Sequence, residues 1–303
     1  MRVRSACLLV AVGLRAADWS SAGVARAAPV PSAVISDPAA DRKHPAYDKQ
    51  LLIPSHGFGM NALLFAASGE GPKPTVILMH GLPGNERNLD LAQAVRRAGW
   101  NVLAFTYRGA WGSPGEFSIS NAMEDGAAAL AYARSPEGAK LGVDTRRIVL
   151  MGHSLGGAVA ALTAANGIPA GLVLLDATNT GLRHQQMVSG GEQGRAEYLS
   201  RHDDFGNALH GATPAKIADE IISRGAAWDL DKVAPQLKSI PLLSVYATRA
   251  NATENKALVR EVRRAGSTNV TAVELDTGHA FTDQRIALSS TVVRWLLELN
   301  KRL

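Results

Sequence analysis

Ser154 lies in the stretch Gly152-His153-Ser154-Leu155-Gly156-Gly157. A serine with glycine two residues before and after it is a nucleophile pattern when a strand enters and a helix leaves. Apolar residues 148–151 precede it and alanine-rich residues 155–165 follow it. A strand, a sharp turn and a helix are therefore expected. Such a turn strains the serine backbone and exposes its oxygen at the carboxyl end of the strand, and the glycines make room for close backbone passage. The helix N-terminus beneath favours developing negative charge. The chemistry this suggests is attack on an acyl carbon through a covalent acyl-enzyme. A phosphate-binding loop is poorly matched, because no lysine follows the glycines.

The rest of the chain must position that serine. It has 303 residues, 46% hydrophobic and 19% charged, which excludes disordered, collagen-like and coiled-coil chains. No apolar run approaches the roughly 20 residues needed to cross a bilayer. Short strands are expected at residues 51–53 and 62–67, joined by the turn His56-Gly57-Phe58-Gly59. Further strands are expected at 75–79, 102–106, 148–151, 172–175, 242–246 and 270–275. Helices are expected at 89–98, 121–133, 155–165, 256–265 and 283–299. This alternation implies βαβ units and a mostly parallel sheet. Runs such as Leu172-Val173-Leu174-Leu175 are continuous because a parallel strand is buried on both faces. Residues 178–238 break the rhythm. Helical patterns at 196–201 and 217–224 make them a small helical cap insertion. Trp228, Tyr198 and Phe205 are expected to fill its core rather than line a pocket.

Residues 1–27 contain Arg2 and Arg4, a short apolar run from Cys7 to Leu14, and Ala25-Arg26-Ala27 before Ala28-Pro29. This is the outline of an export signal, implying a secreted or periplasmic protein, or a cytoplasmic one if the signal is not used. Residues 28–45, with Pro29, Pro31, Asp37, Pro38 and Asp41, read as a linker, and residues 46–303 as the folded domain. The formal charge of +5 includes Arg2, Arg4, Arg15 and Arg26 against Asp18. Without residues 1–27 it is +2, which gives no argument for nucleic acid. Cys7 is the single cysteine, so a mature chain would lack disulfides, thiolate metal sites and a cysteine nucleophile.

Four stretches together give the chain a resemblance to the α/β-hydrolase superfamily. They are Leu78-Met79-His80-Gly81-Leu82-Pro83-Gly84, Tyr107-Arg108-Gly109, the Ser154 turn, and Asp276-Thr277-Gly278-His279-Ala280-Phe281. The continuation Gly112-Ser113-Pro114-Gly115 is similar to the serine aminopeptidase and acylaminoacyl-peptidase-like branch. The resemblance implies an α/β-hydrolase fold over about residues 46–303. It implies His279 as general base, taking the Ser154 proton and returning it to the leaving group. It implies an oxyanion hole from the backbone N–H groups of Leu155 and Leu82, and Pro83 cannot donate. His153 is expected to point away from the serine, and His80 to be structural.

The acid departs from the family pattern. The usual loop after the seventh strand, Ala247-Thr248-Arg249-Ala250-Asn251-Ala252-Thr253-Glu254, holds no aspartate. Asp176, ending the sixth strand, is the expected acid, with Glu254 and Asn251 as alternatives. Asp276 reads as a strand-end residue and Asp283 as a first-turn helix residue. Asp125 and Asp144 are expected to lie away from the catalytic edge.

The reading is a serine hydrolase acting on a small ester, amide or short peptide, with no metal or organic cofactor implied, no nucleic acid partner and no stable membrane insertion. An acyltransferase on the same residues is the nearest alternative. A non-catalytic binding protein on this scaffold is the alternative from a different class.

Overall fold

The computed structural model describes residues 29–303. The segment read as an export signal lies outside them. Helix α1 (Ser32–Ile35) comes first, inside the stretch read as a linker. Its Val34 is buried, and Arg97 Nε donates to Ala33 O at 2.7 Å, so this segment is packed rather than free. Strands β1 (Tyr47–Ser55) and β2 (Phe58–Ala66) form a hairpin whose turn is only His56-Gly57. Both are longer than their apolar residues indicated, because much of β1 is exposed and carries polar side chains.

The alternating part follows as β3 (Lys73–Met79), α2 (Leu89–Arg97), β4 (Asn101–Phe105), α3 (Ile119–Arg134), α4 (Pro136–Lys140), β5 (Val143–His153), α5 (Leu155–Gly167) and β6 (Gly171–Leu175). Helices α6 (Thr180–Ser200), α7 (Pro214–Arg224) and α8 (Leu230–Leu237) come next. The chain closes with β7 (Leu242–Ala247), α9 (Ala252–Arg264), β8 (Val270–Leu275) and α10 (Arg285–Asn300).

The strands make one sheet in the order β1-β2-β4-β3-β5-β6-β7-β8. β1, β2 and β4 pair antiparallel, and all later neighbours pair parallel. One core packs α2 and α10 on one face of the sheet, with Leu78, Val173 and Phe281 buried there. The other packs α3, α5, α8 and α9 on the opposite face. Phe205 and Trp228 are buried in this second core and Tyr198 packs against it, so the apolar residues of 178–238 join the main body.

Parallel strands bring their carboxyl ends to one edge. Ser154 follows β5, Asp176 follows β6, the 247–254 loop follows β7 and His279 follows β8. Four adjacent strands thus deliver every expected polar side chain to neighbouring positions. Asp125, expected away from this edge, reaches it from α3. Its buried carboxylate accepts Arg108 N at 2.8 Å, Arg108 Nε at 2.6 Å and Ser55 Oγ at 2.6 Å. It thereby fixes the loop that leaves β4.

Candidate active site

Ser154 has φ 57° and ψ −121°, a region costly for a residue with a Cβ. The packing around it enforces that conformation. A Cβ on Gly152 would lie 1.9 Å from Gly156 O, and one on Gly156 would lie 2.2 Å from Met79 O. Only glycine fits at either place, so the turn closes onto β3. The serine residue retains 9% of its accessible surface. Gly81 presses on one side, where an added Cβ would be 2.9 Å from Ser154 Cβ. Thr178 lies on the other, its Oγ1 3.4 Å from Ser154 Oγ.

The sixth-strand aspartate is the carboxylate that meets the histidine. Asp176 Oδ2 accepts from His279 Nδ1 at 2.5 Å. Asp176 is fully buried, whereas the His279 side chain is 41% exposed. The carboxylate is held from behind. Oδ1 accepts Ala247 N at 3.0 Å, Oδ2 also accepts Asn251 N at 3.4 Å, and Asp176 N donates to Val245 O at 2.7 Å. Asp176 therefore sits locked against the end of β7 with one oxygen directed at the imidazole.

The alternative acids are engaged elsewhere. Buried Glu254 pairs with Arg183 at 2.6 Å and accepts Asn179 N at 2.7 Å. Burial raises its pKa, opposed by the Arg183 charge. It fastens the start of α6. Asn251 gives its side-chain N–H groups to Asp176 O at 3.1 Å and Thr178 Oγ1 at 3.2 Å. Because Thr178 Oγ1 accepts that bond, its own hydroxyl proton is free to donate to Ser154 Oγ. Among the described residues Ser154 Oγ bonds to Thr178 and not to His279. In free enzymes the serine–histidine bond is commonly long or misaligned and tightens with substrate.

His153 points away from the serine, as expected, but has a task that the sequence reading missed. Its Nε2 donates to His279 O at 2.8 Å, and the two rings lie 4.7 Å apart. It props the loop that carries His279. Sequence spacing alone gives no signal for this, because the contact depends on β6, β7 and β8 stacking in order beside β5. Thr178 was likewise not singled out. Its nearness to Ser154 follows from the β5–β6 register, which pairs His153 with Leu175.

Burial pushes the His153 pKa from the ordinary 6.5 down to about 4, and does the same to His80. Both rings are neutral in the folded protein near neutrality. Between about pH 6.5 and pH 4 the unfolded chain holds protons on them that the folded chain does not. Stability must then fall as pH drops through that window, by roughly 1.4 kcal/mol per unit for each ring. Urea unfolding at pH 6.5 and 4.5 should show this loss, with a shallower slope in His153→Asn. An equal slope in both proteins would show that His153 is not buried neutral.

Leu155 and Leu82, the expected oxyanion donors, each adjoin the serine or a contact of it: Leu155 follows Ser154 itself, and Leu82 follows Gly81, which packs against it. Leu155 opens α5, so its N–H is among those with no acceptor inside the helix. Leu82 follows Gly81 on the segment pressed against Ser154. That segment is braced by Tyr107 Oη donating to His80 O at 3.1 Å and by Trp111 Nε1 donating to Pro83 O at 2.8 Å.

A strained serine, a buried carboxylate on a histidine and a mostly parallel sheet presenting both agree with a family model. The model described as the alpha/beta hydrolase family matches residues 76–288. The chain belongs to the alpha/beta hydrolase family. Among curated relatives, this chain is 36% identical over 112 residues to the quorum-quenching protein AidA of Acinetobacter baumannii (strain MDR-ZJ06), covering 35% of this chain and 36% of that protein. It is 33% identical over 138 residues to an uncharacterized protein of Mycobacterium tuberculosis (strain CDC 1551 / Oshkosh), covering 45% of this chain and 48% of the other. The chain thus spans about a third to a half of the length of the curated relatives it matches. Among solved structures it resembles brefeldin A esterase, a bacterial homologue of human hormone sensitive lipase, with a TM-score of 0.62 and 18% identity, covering 85% of this chain and 78% of that one. An esterase of Pyrobaculum calidifontis also gives a TM-score of 0.62 at 18% identity, covering 85% of this chain and 87% of its own. At these identities the likeness is one of fold.

Proposed function

We propose that this hydrolase cleaves small ester substrates through an acyl-enzyme on Ser154. The observation that carries the reading is the buried Asp176 carboxylate on His279 Nδ1 at 2.5 Å. A carboxylate there fixes the proton on Nδ1 and leaves Nε2 with a lone pair. Nε2 accepts the Ser154 proton as Oγ attacks the carbonyl carbon. The oxyanion is met by Leu155 and Leu82 N–H, and the imidazolium then protonates the leaving alcohol. Water repeats the sequence on the acyl-enzyme and releases the acid.

Esters are favoured over amides for two reasons. Several of the solved structures of like fold are named as esterases. Ser113, from the stretch that suggested an aminopeptidase-like branch, and the preceding Arg108 and Gly109 have a structural use. Arg108 is bound to Asp125, Ser113 Oγ accepts Asn61 N at 2.9 Å, and a Cβ on Gly109 would lie 2.2 Å from Phe117 N. These contacts lock a loop and say nothing of a peptide. A panel of p-nitrophenyl acetate, butyrate and octanoate against alanyl and leucyl p-nitroanilides tests the reading. Ester kcat/KM should exceed anilide kcat/KM by at least a hundredfold. Equal values would favour the peptidase reading, and no turnover of either would favour a binding protein.

A further inference from the structure

Helix α2 starts at Leu89 and leaves one corner of the sheet face uncovered. Leu63 pairs with Ala104, and Ala104 pairs with Leu78. These three side chains lie in a row across β2, β4 and β3 on the α2 face. They form the floor of a cavity of about 580 Å³ whose walls include Arg87, Trp111 and His80. That volume is within the usual range for small-ligand sites. Ser154, Asp176 and His279 do not line it. Of the 80–84 segment only His80 lines it.

Its charge is one-sided. The Arg87 guanidinium lies over the Trp111 ring at 4.9 Å. Among the described residues no carboxylate pairs with it. The acids nearest in sequence are taken: Asp90 binds Arg285 at 2.8 Å, and Glu86 accepts Asn88 N at 2.5 Å. His80 Nδ1 donates to Gly81 O at 2.8 Å, which leaves a buried Nε2 with no partner. An unpaired cation at the rim of an apolar floor is complementary to an anion with an alkyl tail.

We propose that this cavity is a second ligand site, separate from the catalytic one, that takes an alkyl carboxylate. The carboxylate meets Arg87 and the tail lies on Leu63, Ala104 and Leu78. Trp111 both walls the cavity and holds Pro83 O, so an occupant touches the brace of the segment that carries Leu82. The site does not depend on Ser154 being a nucleophile.

Titration calorimetry with sodium decanoate and with decanol tests it, using the full-length protein and its Ser154→Ala form. Decanoate should bind saturably and alike to both, and Arg87→Gln should weaken it about tenfold while changing decanol less than twofold. Ala104→Phe should abolish binding by filling the floor. Leu63→Trp serves the same purpose if Ala104→Phe does not fold, as judged by circular dichroism. The proposal is overturned by no saturable decanoate binding, by decanol binding as tightly as decanoate, or by affinity unchanged in both Arg87→Gln and the filled variant. The last result would place the ligand elsewhere, at Ser154 for example.

Discussion

Ser154→Ala is expected to lower ester turnover by on the order of 10⁶-fold, the scale seen when an activated nucleophile is removed. The fold should survive. The backbone strain at φ 57° is already present with serine, and alanine adds none. The only side-chain hydrogen bond lost is the long one to Thr178 at 3.4 Å. Gly81, which packs against Ser154 Cβ, still meets a Cβ. Unchanged melting with lost turnover is therefore the expected pair of results. Retained turnover in a folded Ser154→Ala protein would remove Ser154 from the mechanism.

Asp176→Asn is expected to cost roughly two to four orders of magnitude in turnover with little change in melting temperature. The argument is one of donors and acceptors. Ala247 N donates to Oδ1 of residue 176 at 3.0 Å, so an asparagine must turn its oxygen there. Its NH2 then faces His279 Nδ1. An NH2 cannot accept, so Nδ1 must offer its lone pair and Nε2 must carry the proton. That tautomer cannot take a proton from Ser154. Asparagine also tolerates the φ of 45° at this position, which removes backbone strain as a competing cause. Glu254→Gln should be milder in turnover, since Glu254 holds Arg183 and Asn179 rather than the imidazole. A near-normal Asp176→Asn enzyme beside a crippled Glu254→Gln enzyme would reverse the assignment.

The central strands were legible because β3, β6 and β7 are buried on both faces and are therefore mostly apolar. The edge strand β1 was seen only in its middle, since its outer residues face solvent and carry no pattern. β5 was shortened for a related reason: its first half, Val143-Asp144-Thr145-Arg146-Arg147, is polar and partly exposed. The strand-end aspartate and the loop histidine stood out because they fall at positions that the α/β-hydrolase resemblance implies for the acid and the base. Their contact, and that of His153 with His279, required the sheet order. The covering of Ser154 was not legible at all. Thr178 beside it is held by Asn251 and the adjoining Asn179 by Glu254, both far along the chain.

The central claim is that Ser154 is an activated nucleophile. A fluorophosphonate probe followed by peptide mass spectrometry tests it most directly, because such a probe reacts with a serine whose proton a neighbouring base can take. Rapid, stoichiometric modification of the peptide containing Ser154 is expected, with none in Ser154→Ala and modification slowed about a hundredfold or more in Asp176→Asn. A folded wild-type protein that stays unlabelled, or one labelled at another serine, would contradict it.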